Sequence, residues 1–170
     1  PTLQCPHCAG ALWLESLDCA DCGSAVMLDP DGFRPLPLDA TSHRPCDQRE
    51  WQCNWAVRAE STATSCYSCR LTRRSPAPDD LVARAKLATT GQSKRRLLRD
   101  LATLGLPVVP YWVVRGGLAF DLLSSAGGPV TTGHHNGLIT LDLAEGDDVH
   151  REQLRAERLE RADRIVDVAG

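Results

Sequence analysis

The chain has 170 residues, room for one ordinary domain or several small modules. Apolar residues are 42% of it and charged residues 24%, which places at least part of it among globular proteins. The net charge of −3 excludes a polycation that clings to nucleic acid by charge alone, and there is no apolar run of about 18 residues to span a membrane.

The charge is uneven. Residues 66–100 carry nine Arg or Lys against three Asp, and residues 142–167 carry nine Asp or Glu against five Arg. The basic stretch points towards a polyanion as a candidate partner. No basic segment followed by an apolar core opens the chain, so no secretory signal is expected and a reducing cytoplasm is the expected compartment. Eight cysteines in that compartment point to metal ligands rather than disulfides.

All eight cysteines lie in the first 70 residues. Residues 1–30 read as short strands and turns around the first four, with "ALWLES" and "SAVMLDP" as strand candidates. A proline-rich connection follows, then a second four-cysteine module over residues 40–75, then "RRSPAP" as a linker. Residues 79–105 are expected to form a helical connector. Leu97, Leu98, Leu101 and Leu104 lie on one helical face, Asp79 or Asp80 suits the N-terminal end, and Gly105 followed by Pro107 suits the stop. Gly91 costs about 1 kcal/mol in a helix interior, which leaves open two helices or one long one. Residues 107–170 read as an α+β segment. "PVVPYWVV", "GGLAFDLL" and "GLITLDL" are its strand candidates, "SAGGPVTTGHHNG" supplies turns, and the acidic end is expected to be a helix. The whole is an α+β chain with zinc-ribbon-like modules at its N-terminus.

Cys5, Cys8, Cys19 and Cys22 form C-x2-C-x10-C-x2-C, and Cys46, Cys53, Cys66 and Cys69 form C-x6-C-x12-C-x2-C. Four thiolates surround Zn²⁺ tetrahedrally at a Zn–S distance of about 2.3 Å, and two residues between cysteines let one tight turn present both sulfurs to one ion. Gly10 and Gly23 stand where such a turn calls for a positive φ. Two structural Zn²⁺ ions are therefore expected. A redox Cys-x-x-Cys is the competing reading, but no strand–helix context accompanies either pair. An interleaved arrangement, with the clusters exchanging pairs, stays open beside the sequential one, whose loops are shorter. A four-thiolate site is coordinatively full, so its role is folding and not catalysis.

Trp51, Trp55 and Tyr67 are candidates for stacking on exposed bases, with Arg70, Arg73 and Arg74 meeting phosphates, which makes single-stranded DNA a candidate partner. The competing reading packs the Trp residues on the zinc knuckles and leaves the arginines solvated. Lys94, Arg95, Arg96 and Arg99 are expected to form a solvated helix face. His134 and His135 are adjacent, so on a strand they point to opposite faces and do not share an ion.

The motifs "CPHC…CADCG", "CDQREWQCNWAV", "CYSCRLTRRSPAPDD", "KRRLLRDLATLGLPV", "GGLAFDLL" and "TGHHNGLITLDLAEGDD" follow in this order. In this the chain resembles the bacterial zinc-binding metallopeptidases that carry an N-terminal zinc-ribbon domain. The resemblance implies a partial zincin-like fold after the connector, with Leu138, Ile139, Thr140 and Leu141 on the edge strand that aligns a substrate. It also implies an H-E-x-x-H helix after "LAEGDD", with two zinc-binding His and a Glu acting as general base. The histidines stand at 7, 43, 134, 135 and 150, and none makes that motif. The resemblance therefore implies the N-terminal, regulatory portion of such a peptidase, a truncated, self-cleaved or degenerate form that is not itself proteolytic. Its partner would be a peptidase domain in the same or a separate chain. The alternatives are a stand-alone zinc ribbon binding single-stranded DNA and a protein-interaction module.

Overall fold

The computed structural model describes residues 3–125 and 128–146, together with residues 152, 155 and 156. The expected C-terminal helix, with Asp147, Asp148 and His150, lies essentially outside the described residues.

The first module is built from two knuckles. Strands β1 (Leu3–Gln4) and β2 (Ala11–Leu12) pair antiparallel, Leu3 opposite Leu12, and the turn between them carries Cys5 and Cys8. The Cys5 amide donates to Gly10 O at 2.8 Å and the Ala9 amide to Cys5 O at 2.9 Å. The Cys19 and Gly23 amides close the second knuckle onto Ser24 O and Cys19 O. Gly23 takes the expected left-handed φ of 70°, but in the first knuckle that conformation falls on Ala9 (φ 61°) and not on Gly10. Gly10 is needed for another reason: a Cβ there would run into the Asp21 carboxylate. Strands β3 (Val26–Asp29) and β4 (Arg34–Pro37) then form a hairpin, and β3 is buried along its whole length.

The second module pairs β5 (His43–Pro45) with β6 (Ala56–Arg58) and places a 3-10 turn, Arg49–Trp51, and helix α1 (Tyr67–Arg70) around its cysteines. Polar pins lock the modules together. Asn54 Nδ2 donates to Leu14 O (2.7 Å) and Ser16 O (3.2 Å), Arg49 donates to Val26 O and Leu17 O (both 3.0 Å), and the Leu28 amide donates to Asn54 O (2.7 Å).

Strand β7 (Thr72–Arg74) occupies the start of what the sequence reads as a linker. The connector is a single helix, α2 (Leu81–Thr103), with Gly91 inside it. The Asp80 carboxylate caps it by accepting from the Ala83 amide at 2.9 Å. Gly105, at φ 68°, ends it, and the Leu106 amide bonds back to Leu101 O at 2.9 Å. The leucine stripe is only partly buried: Leu98 is buried together with Ala83, Lys94 and Arg95, whereas Leu97 and Leu104 are exposed.

Strands β8 (Ala119–Leu123), β9 (Gly133–His135) and β10 (Leu138–Asp142) complete a four-stranded sheet in the order β7-β8-β10-β9. The first three neighbours are parallel, and β9 closes antiparallel on β10. Asn136 (φ 46°) and Gly137 (φ 79°) make the two-residue turn of that hairpin. The sequence reads β9 as turn, because its strand character comes from the partner and not from its own Gly-His-His composition. Residues 107–114, expected as a strand, instead form turns held by one bridge between Pro110 and Leu118. Pro107 and Pro110 lack the amides that a ladder needs.

One core runs through both halves of the chain. Cys46, Cys53, Trp55, Cys66 and Leu71 pack in one cluster with Ala83 and Leu98 of α2, Phe120 and Leu122 of β8, and Leu143. A smaller cluster of Cys5, Leu12, Cys19 and Val26 lies beneath the first knuckles.

Candidate metal centres

The cysteines assemble sequentially. Cys5, Cys8, Cys19 and Cys22 form one group and Cys46, Cys53, Cys66 and Cys69 another, with all sulfurs of a group within 4.8 Å of one another. Cys5–Cys22 stand 3.8 Å apart, while Cys8–Cys19, Cys53–Cys66 and Cys53–Cys69 stand 3.6 Å apart. A tetrahedron with Zn–S bonds of about 2.3 Å has edges of about 3.8 Å. The donor set and its spacing therefore fit a zinc ion in each group and do not fit a disulfide. Backbone amides support the sulfurs: His7 to Cys5, Gly10 to Cys8 and, at 3.2 Å, Cys66 to Cys46. His7 lies in the first knuckle as an exposed residue outside the four-sulfur set.

The two centres differ in surroundings. In the first, Cys8 and Cys22 are exposed, and the Ser24 hydroxyl and amide, with the Cys8 S–H, hold the Cys22 thiol down at about 6. The second is embedded in the main core. Sharing of the S–H groups of Cys46, Cys66 and Cys69 drives Cys53 far below the usual thiol range, with the Arg95 charge adding to the effect.

Sequence reasoning missed the partners of that second centre. Lys94 and Arg95, expected on a solvated face, are 6% and 3% exposed and lie beside its sulfurs. Burial pulls the Lys94 ammonium down, while the charges of Cys69, Cys66 and Cys53 hold it up. A zinc ion with four thiolates carries a net charge of −2, and a buried charge is tolerated only when offset. Two adjacent cations supply that offset. The signal for them was the cysteine set itself, whose charge demands compensation somewhere. Arg96 and Arg99 do face outward; Arg96 pairs with Glu15 and Arg99 with Asp100.

The residues singled out for stacking and phosphate contact are dispersed. Trp55 is 2% exposed and packs edge-on against Phe33, which removes it from reach of a base. Trp51 is covered by Arg84, whose guanidinium carbon lies 5.1 Å from its ring centre. Tyr67 donates to Val108 O, Arg70 lies over Trp112 at 4.4 Å, and Arg73 grips the buried Asp121 with two hydrogen bonds. Arg74 is exposed. Leu138, Ile139, Thr140 and Leu141 are not on an edge: β10 has β8 on one side and β9 on the other, so its main chain is already paired. The edges of the sheet are β7 and β9, and His134 and His135 sit on β9 as exposed neighbours.

Residues 2–80 match the model of a zinc-ribbon domain. Residues 83–166 match the family described as "Putative zinc-binding metallo-peptidase". Each match covers just under half of the chain. Its relatives include the "Uncharacterized protein" Rv2568c of Mycobacterium tuberculosis and Mb2598c of Mycobacterium bovis. Each is 44% identical over 157 residues, which is 91% of this chain and 46% of the relative. The chain thus spans less than half the length of the curated relatives it matches. No solved structure matches it. The first match ends just before α2 and the second begins in its first turn, yet β7 is hydrogen-bonded into the sheet of the second segment. Among the described residues no helix is long and apolar enough to cross a membrane.

Proposed function

We propose that this chain is the zinc-ribbon head of a metallopeptidase, a scaffold that carries two structural zincs and is not itself proteolytic. The observation that carries this reading is the donor sets: both metal centres are four-sulfur sites without an open position, and the 170 residues hold no H-E-x-x-H. Thiolates bound to zinc suit a reducing cytoplasm.

The partner we assign is the portion of the longer relatives that lies outside the matched 157 residues, read as the rest of a peptidase domain. Leu104, Leu106, Val109, Val113 and Val114 are all exposed on one strap after α2, while Trp112 anchors that strap against Tyr67 and Arg70 of α1. A run of exposed apolar side chains of this kind marks a surface that another element covers. Single-stranded DNA is the weaker reading, since most of the residues proposed for it are engaged within the chain.

The test is peptide hydrolysis with the zinc-loaded chain alone and after adding, as a separate polypeptide, the remaining portion of a full-length relative. No hydrolysis alone, and association with the added portion that is lost in Val113→Asp, is the expected result. Proteolysis by the isolated chain would overturn the reading.

A further inference from the structure

Arg84, Lys94 and Arg95 line one cavity of about 240 Å³ beside the second zinc centre, and no carboxylate among the described residues lines it. Ser68 and Thr72 add hydroxyl groups to the same wall, while the Ser65 hydroxyl is committed to the Asp47 carboxylate. Lys94 donates to Thr72 Oγ1, and one Arg95 amino group donates to Gln52 O at 2.9 Å. Other donors have no acceptor. Arg95 Nε, Arg84 Nε and the hydroxyl of the fully buried Ser68 are all without a hydrogen-bond partner. A buried donor left unsatisfied carries its full desolvation cost, and such groups in native proteins commonly await a ligand or an ordered water.

The charges point the same way. Lys94 and Arg95 offset the −2 of a four-thiolate zinc site, so Arg84 leaves the cavity with an excess positive charge. Arg84 lies over Trp51, with its guanidinium edge free to donate to an acceptor. Gly91 also lines the cavity, and a Cβ there would stand 3.3 Å from an Arg95 amino nitrogen. The glycine thus keeps room for the guanidinium in the middle of an otherwise regular helix.

The geometry points to a binding site for a small oxyanion, a carboxylate or phosphate head group, gripped by Arg84 and Arg95 and capped by the Ser68 and Thr72 hydroxyls. Planar guanidinium forks and hydroxyl donors are the groups that recognise oxyanions.

The test uses the zinc-loaded chain and follows the arginine Nε–H signals by NMR. Sodium acetate and sodium phosphate are titrated separately, at ionic strength matched with chloride. Saturating shifts of the Arg84 and Arg95 signals are expected, and the salt that binds tighter identifies the head group. Arg84→Gln should weaken binding by at least about tenfold. Arg96→Gln, which removes an exposed charge outside the cavity, should leave affinity unchanged. Non-saturating shifts with both salts would overturn the site, as would an Arg84→Gln chain that folds, keeps its zinc and binds like wild type. The wild-type titration is informative even where a variant fails to fold.

Discussion

Thr72, three residues beyond the last zinc-binding cysteine, pairs with Phe120 in the sheet of the peptidase-like segment, and the Phe120 amide donates to Leu71 O at 2.8 Å. The zinc module therefore supplies a strand to the sheet it precedes. The second zinc centre, α2 and β8 also share one core. Metal and sheet should fold together.

Chelation is the direct probe of that coupling. Removing zinc should abolish the β8–β10 sheet as well as the knuckles, seen as loss of amide protection across residues 119–142. Protection that persists there in the metal-free chain would show two independent units.

The two centres should differ in what they support. Cys22→Ser perturbs an exposed ligand over the small cluster of Cys5, Leu12, Cys19 and Val26. It should give a chain that keeps one tightly held zinc and the helical signal of α2. Cys53→Ser strikes the main core and should leave little folded protein. Equal damage from both substitutions, by circular dichroism and metal content, would contradict this asymmetry.

Asn54 is fully buried, and its amide is one of the pins between modules. Asn54→Ala leaves the Leu14 and Ser16 carbonyls without that donor and should cost about 1–3 kcal/mol in urea unfolding. Asn54→Asp should be worse, because a carboxylate would face two carbonyl oxygens.

The Lys94 and Arg95 charges should matter to metal retention. Lys94→Met keeps the length of the side chain but removes one of the two cations beside the thiolates. Zinc from one of the two centres should then pass faster to a competing chelator, while the other is unaffected. Unchanged release would mean that the thiolates do not rely on that charge.

Glu15 gives the pH dependence. The Arg96 guanidinium hydrogen-bonds its carboxylate and holds it below the usual carboxylate range. A lowered folded-state value means the contribution is present above the ordinary pKa of about 4.3 and fades as pH falls through the lowered value. Arg96 is largely exposed, so Glu15→Gln should cost only a few tenths to about 1 kcal/mol at pH 7. The difference from wild type should vanish in acid. A difference that grows in acid would reverse the sign.

Much of this was legible from local chemistry. Cysteine spacing identified both metal sets, and Gly105 with Pro107 marked the end of α2. What stayed hidden depends on distant partners. Arg73 and Arg74 read as linker because their pairing strand lies almost fifty residues on, whereas β9 reads as turn because Gly-His-His has little strand character of its own, although β10 follows after only two residues. The leucines at 97 and 104 suggested a buried face, but the charge of the second centre draws Lys94 and Arg95 inward instead. The hydrophobic pattern carries no record of that demand.

Zinc X-ray absorption on the purified protein, with metal content measured on the same sample, distinguishes two closed, four-sulfur zinc centres from any open coordination. Two zinc ions per chain and a single shell of four sulfurs at about 2.3 Å are the expected result. One zinc per chain, or a nitrogen or oxygen shell that reveals an open coordination position, would contradict it.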